Sequence, residues 1–139
     1  MIPADEVQKQ LEGLSYWDSR IICLEAKWFF NEVFCLWDNE DGCCIQIMFD
    51  GCYHIDFQHD VKYNKEALQI NIYNGLSFYF IQDIRVEPVI IEENHFYKFH
   101  LVAWPLELEI LCKNIQIQKI MDNNILDKMN VKLPPYNPI

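Results

Sequence analysis

The chain has 139 residues, 21 acidic and 11 basic side chains, and a formal net charge of −10. Half of its residues are hydrophobic, 51%, and 14% are aromatic, which excludes a disordered tail and predicts one globular domain spanning 1–139. The acidic balance argues against a nucleic-acid backbone or an anionic membrane as partner, since both select Lys and Arg. It predicts a partner with a basic surface. Residues 1–70 carry 13 acids and 5 bases, a balance of −8, whereas residues 71–139 carry 8 and 6, a balance of −2. No apolar run approaches the roughly 20 residues of a membrane helix. The start, Met1-Ile2-Pro3-Ala4-Asp5-Glu6, has neither the basic nor the apolar region of a secretory signal. The six cysteines, Cys23, Cys35, Cys43, Cys44, Cys52 and Cys112, fall mostly in apolar or alternating runs. They read as reduced thiols of a cytoplasmic protein rather than as a disulfide framework.

Residues 4–14 have helical spacing, with Val7, Leu11 and Leu14 on one face and Asp5 and Glu6 in the first turn. From Arg20 the period becomes two. Ile22, Leu24, Ala26, Trp28 and Phe30 alternate with Cys23, Glu25, Lys27 and Phe29 in a first strand, and a short apolar run from Val33 to Trp37 follows. Asp38-Asn39-Glu40-Asp41-Gly42 is a loop of hairpin length. Cys43, Ile45, Ile47 and Phe49 share one strand face, Asp50-Gly51 is a turn signal, and Tyr53, Ile55 and Phe57 alternate with His54, Asp56 and Gln58.

After a polar connection at 59–66, Leu68, Ile70 and Ile72 predict another strand before Asn74-Gly75. Phe78, Phe80, Ile84 and Val86 continue the pattern, and Pro88 marks an edge strand or a strand end. Glu92-Glu93-Asn94 is a loop, and Tyr97, Phe99, Leu101 and Ala103 alternate up to a bend at Trp104-Pro105. Leu106, Leu108 and Ile110, then Ile115 and Ile117, give the last strands. Residues 121–129 are a candidate short helix, and 131–139 an extended tail.

The fold class that follows is α+β and mostly antiparallel β. It is a curved sheet, sandwich or partial barrel of about eight strands over residues 20–120, with a helix over 4–14 and a second, short C-terminal helix. Helix-length crossovers between strands are missing, which excludes a parallel α/β sheet.

Chemistry-bearing clusters are few. Cys43, Cys44, Cys52, His54, Asp56, His59 and Asp60 hold zinc-ligand types, and a hairpin at Asp50-Gly51 would bring Cys44 near 56. No metal-binding spacing such as C-x-x-C or H-E-x-x-H occurs. Cys52, His54 and Asp56 supply the types of a thiol hydrolase, but strand neighbours two apart stand side by side, about 7 Å from each other, instead of converging. No phosphate-binding glycine loop is present. The expectation is no catalytic residue, no metal and no cofactor.

Aromatic residues beside acids are more informative. The pattern Trp37, Asp38, Glu40 and Asp41, and the pair Glu92 and Glu93 before Phe96, combine interface anchors with groups that select Lys and Arg. These six residues are the expected partner-binding set. The runs Phe34-Cys35-Leu36-Trp37, Ile45-Gln46-Ile47-Met48-Phe49-Asp50-Gly51 and Leu106-Glu107-Leu108-Glu109-Ile110-Leu111-Cys112 resemble, in overall style, the bacterial immunity proteins of polymorphic-toxin and contact-dependent growth inhibition systems. That resemblance implies a non-enzymatic cytoplasmic inhibitor that binds a cognate protein toxin. Two rivals remain open at this point. One is a ligand-binding or catalytic β-barrel with a pocket lined by Tyr53, Phe57, Phe78 and Phe80. The other is a subunit of a larger assembly pairing through the edge near Pro88.

Overall fold

A computed structural model describes residues 1–39, 43–60 and 79–120. The expected strand at 68–72, the turn Asn74-Gly75, the helix at 121–129 and the tail at 131–139 lie outside the described residues. Helix α1 (Ala4–Gly13) is followed by β1 (Ile21–Lys27), β2 (Glu32–Asp38), β3 (Cys44–Asp50), β4 (His54–His59), β5 (Asp83–Ile91), β6 (Asn94–Ala103), β7 (Leu106–Cys112) and β8 (Asn114–Ile120). The strands form two four-stranded antiparallel sheets, in the orders β1-β2-β3-β8 and β4-β7-β6-β5. The fold is therefore α+β and mostly antiparallel, in its sandwich form.

The alternation read from the sequence builds the layer between the sheets. Val33, Cys35 and Trp37 of β2 and Ile45, Ile47 and Phe49 of β3 face inward from one sheet. Ile84, Val86, Phe99, Leu101, Leu108 and Ile110 face them from the other. Phe49 meets Phe99 with ring centroids 4.6 Å apart and planes tilted by 58°. Such a tilted pair adds about 0.5–1.5 kcal/mol to the area it buries.

Two connections differ from the sequence expectation. Asp50-Gly51 does turn the chain, with Gly51 at φ 63°, but it does not close a hairpin. β3 pairs with β2 and β8, and β4 starts the other sheet beside β7. A turn signal fixes a change of direction and leaves the partner strand open. The first strand also ends early. Trp28, Phe29 and Phe30, read as its continuation, leave the strand at Lys27 and make the turn into β2. Three adjacent aromatics cannot all use a sheet with a single apolar face.

α1 packs against β5 through Val7 and Leu11, which join the main core. Its Gln8 side chain closes the outer backbone edge of β5. Gln8 Nε2 donates to Ile84 O at 2.8 Å, and Val86 N donates to Gln8 Oε1 at 2.6 Å. The Tyr16 hydroxyl donates to the same Ile84 carbonyl at 3.2 Å, and the Tyr97 hydroxyl donates to Ile2 O. An exposed strand edge invites pairing with another chain, and here side chains occupy it. β5 is the edge strand that Pro88 signals, and α1 covers it as an assembly edge. Replacing Gln8 by Ala should cost about 1–2 kcal/mol in urea unfolding, because Val86 N loses its partner and Ile84 O keeps only the Tyr16 hydroxyl. It should also raise concentration-dependent association in sedimentation velocity. An unchanged midpoint would show that the amide does not guard the edge.

Candidate partner-binding surface

The strand register divides the loops between two ends of the sandwich. At one end lie Arg20, Asp38, Cys44 and Ile120, joined by the pairing of β2, β3 and β8. At the other lie the β1–β2 turn, the Asp50–Tyr53 crossing, the β7–β8 connection and the β5–β6 hairpin. Strands of seven residues rise about 3.3 Å per residue, so the two ends are separated by roughly 20 Å.

The expected binding residues fall at both ends. Trp37 is fully buried in the sandwich core, and its Nε1 has no hydrogen-bond partner among the described residues. Its parity with Val33 and Cys35 carries it inward, so its indole is not a surface anchor. Asp38 is half-buried and engaged by Arg20. Arg20 N donates to Oδ1 at 2.9 Å, and the guanidinium reaches Oδ2 at 2.7 and 3.0 Å. Asp38 N donates back to Arg20 O at 3.0 Å. This carboxylate fastens the start of β1 to the end of β2. Glu40 and Asp41 lie outside the described residues. Glu92 and Glu93 are exposed at the tip of the β5–β6 hairpin, at the far end from Asp38. Both have positive φ, 49° and 67°, as a two-residue type I′ turn requires. Asp38→Ala should lower unfolding stability by about 1–2 kcal/mol, because charge-assisted hydrogen bonds are lost at a partly exposed site. A carboxylate that served binding alone would leave the melting curve where it is.

The feature that the strand reading missed is the β1–β2 turn. Trp28, Phe29 and Phe30 are 73%, 102% and 62% exposed. They hold φ of 53°, 55° and 70°. Asn31 N donates to Trp28 O, and Cys52 N donates to Asn31 O, both at 3.0 Å, which ties the turn to the crossing between the sheets. Phe29 and Phe30, with Cys52, Tyr53, His54, Ile55 and Phe57, line an open groove of about 420 Å³. Tyr53 leans on Phe96 with centroids 5.3 Å apart. The barrel-pocket reading thus finds Tyr53 and Phe57 together, while Phe80 bridges to Arg20 at the other end and Phe78 is outside the described residues.

The cysteine and histidine cluster does not assemble as the hairpin expectation had it, because Cys44 lies opposite Asp38 and Ile120 in the first sheet while His54 and Asp56 stand on β4 in the second. Among the described residues no group of three or more metal-ligating side chains converges. The six cysteines are free. Burial pushes the Cys35 thiol up to about 12. Burial, then the charges of Asp50 and Glu32, push Cys52 up to about 11, and burial raises Cys112 as well. Folding therefore holds these thiols protonated. Because their folded pKa lies above the ordinary 9.0, folding stability falls as pH rises from about 9 to about 11. At pH 8 iodoacetamide should leave Cys35 and Cys112 unmodified in the native protein and alkylate all six thiols after denaturation, read by intact mass. Rapid native labelling of either would contradict this packing.

The family described as immunity protein PIM7 matches residues 3–119, from the residue before α1 to the penultimate residue of β8. This chain belongs to the PIM7 immunity protein family. No curated protein matches it. Among the described residues, no helix is long and apolar enough to cross a membrane.

Proposed function

We propose that this PIM7 protein confers immunity by binding a cognate bacterial toxin domain directly in the cytoplasm, and that it neutralises the toxin by occupying a basic surface rather than by chemistry. The observation that carries this reading is the combination of family membership with unpaired carboxylates on an exposed hairpin. Glu92 and Glu93 form no ion pair among the described residues and stand on a tight two-residue turn. Preorganised charge of this kind lowers the entropy lost on binding and steers a basic partner into encounter. Glu40 and Asp41 extend the acidic character along the sequence, and the −10 net charge adds a field of the same sign. The thiols support a non-enzymatic role, since burial raises the Cys35 and Cys52 thiols and so disfavours the nucleophilic thiolate.

Titrating the toxin domain from the source cell with this protein should abolish toxicity at one equivalent. Glu92→Lys with Glu93→Lys should slow association and flatten its salt dependence, measured by surface plasmon resonance. Protection at a small fraction of an equivalent, with covalently altered toxin, would replace inhibition by catalysis.

A further inference from the structure

Each four-stranded sheet has two edges. Three of the resulting four are guarded. Gln8 and α1 close β5. The segment before β5 holds the start of β1, where Ile21 N donates to Tyr79 O and Ile81 N donates to Ser19 O, both at 2.8 Å. β8 carries Lys119 and no aromatic side chain, and lysine is a common guard of an edge. β4 differs. Its sequence, His54-Ile55-Asp56-Phe57-Gln58-His59, contains neither Lys nor Pro.

The pairing with β7 shows which backbone groups of β4 are open. Asp60 N donates to Pro105 O at 2.9 Å, and the register keeps that phase through Gln58↔Glu107, Asp56↔Glu109 and His54↔Leu111. Hydrogen-bonded pairs alternate along an antiparallel ladder. Asp56 and Gln58 therefore direct their N–H and C=O groups to β7, and Ile55 and Phe57 direct theirs away from it. Among the described residues no strand pairs with β4 on that side.

The side chains along this edge differ between its two faces. Ile55 and Phe57 stand opposite Ile110 and Leu108, on the core side of the sheet, yet Phe57 is 53% exposed. Both line the groove that Phe29 and Phe30 complete from the β1–β2 turn. Those two hold left-handed backbone, which bulky residues rarely adopt and which glycine would hold without strain. Strain kept in place by the bond from Cys52 N to Asn31 O points to a binding role. Asp56 has the opposite parity and is exposed on the outer face, away from the groove and across from Glu109. Glu109 is paired with Lys98 at 3.2 Å, whereas Asp56 makes no ion pair among the described residues.

We propose that one extended segment of the toxin adds to β4 as a fifth strand, with apolar residues opposite Ile55 and Phe57 and a lysine or arginine opposite Asp56. The open backbone groups of Ile55 and Phe57 recur every second residue, which is the repeat of an extended chain. A helix satisfies its own backbone and would leave them unused. The alternate side chains of an added strand fall in turn on the groove side and beside Asp56. Opposite charges across a ladder stabilise it and like charges destabilise it, so Asp56 selects a basic neighbour. This assignment rests on the proposed function in one respect: the added strand belongs to the toxin.

The first probe is the capped peptide Thr-Val-Lys-Val-Thr, followed by amide NMR shifts of the parent chain. It should shift residues 29–30 and 55–57. N-methylation of both valines should abolish the response, because it removes the donors aimed at β4. Exchange of the peptide lysine for glutamate should weaken it, and Asp56→Lys should reverse that preference. An equal response to the N-methylated peptide, or no localised response, overturns the assignment. So does a parent chain that sediments as a dimer with the 55 and 57 amides already protected from exchange, since a second copy would then hold the edge. The second probe is the toxin domain. Phe57→Pro removes an N–H that β7 does not use, so the β4–β7 ladder is kept, and toxin affinity should fall about a hundredfold. Asp56→Lys, an exposed change that leaves the backbone intact, should lower it about tenfold. Unchanged toxin affinity in both variants would sink the added strand and leave direct neutralisation standing. A parent chain that binds no toxin would sink both, even with peptide shifts in place.

Discussion

Two sheets share one layer of side chains, and the chain can pass from one to the other only at an end of the sandwich. That constraint concentrates demand at a single place. β3 leaves the first sheet at Asp50 and β7 leaves the second at Cys112, so both crossings meet. Lys113 N donates to the carbonyls of Asp50 and Gly51 at 3.1 and 3.2 Å. Gly51 is at φ 63°, and a Cβ built on it would lie 3.1 Å from Lys113 Cβ. A side chain there would meet both a strained backbone and a close neighbour. Cys52 then hands its amide to Asn31, so the same crossing anchors the aromatic turn. The strained turn persists because the junction beneath it is overdetermined.

Stability and recognition are therefore divided within one molecule. Inward-facing residues of β2, β3, β6 and β7 satisfy the hydrophobic demand, and Gln8 and Tyr16 satisfy an edge that would otherwise recruit strands. Three exposed aromatics, two glutamates in a left-handed hairpin and a like-charge pair across a ladder lie at the same end of the sandwich. Each is a local choice opposed to the global fold, and such conflicts gather where a protein does something other than fold.

Much of the fold was legible because period two is a direct imprint of a one-sided sheet. Val33, Cys35 and Trp37, and Ile45, Ile47 and Phe49, read as inward faces and are inward faces. The same parity argument places Trp37 in the core, and it outweighs the pull of the acids that follow it. The sheet to which a strand belongs was not legible, because Asp50-Gly51 bends the chain identically in a hairpin and in a crossing. The aromatic turn was hidden by propensity, since Trp and Phe are strand formers and no glycine marks the break. One signal was available: three aromatics in a row exceed what alternation can bury, so at least one had to leave the face. The tie between Asp38 and Arg20 was invisible for another reason. It joins residues 18 apart, and only the strand register brings them together.

The position of the acids decides how the charge can act. A carboxylate already held by a guanidinium contributes little to a newcomer, because its field is largely compensated and its hydrogen-bonding capacity is taken. Asp38 is in that state. Glu32 and Asp50 stand opposite each other and make no ion pair among the described residues, although Asp50 Oδ1 accepts from Gly51 N at 2.9 Å, so nearby positive charge would lower the energy of the pair. Binding energy available in this form is differential: it exists only when the partner brings positive charge, and a neutral or acidic surface gains nothing from it.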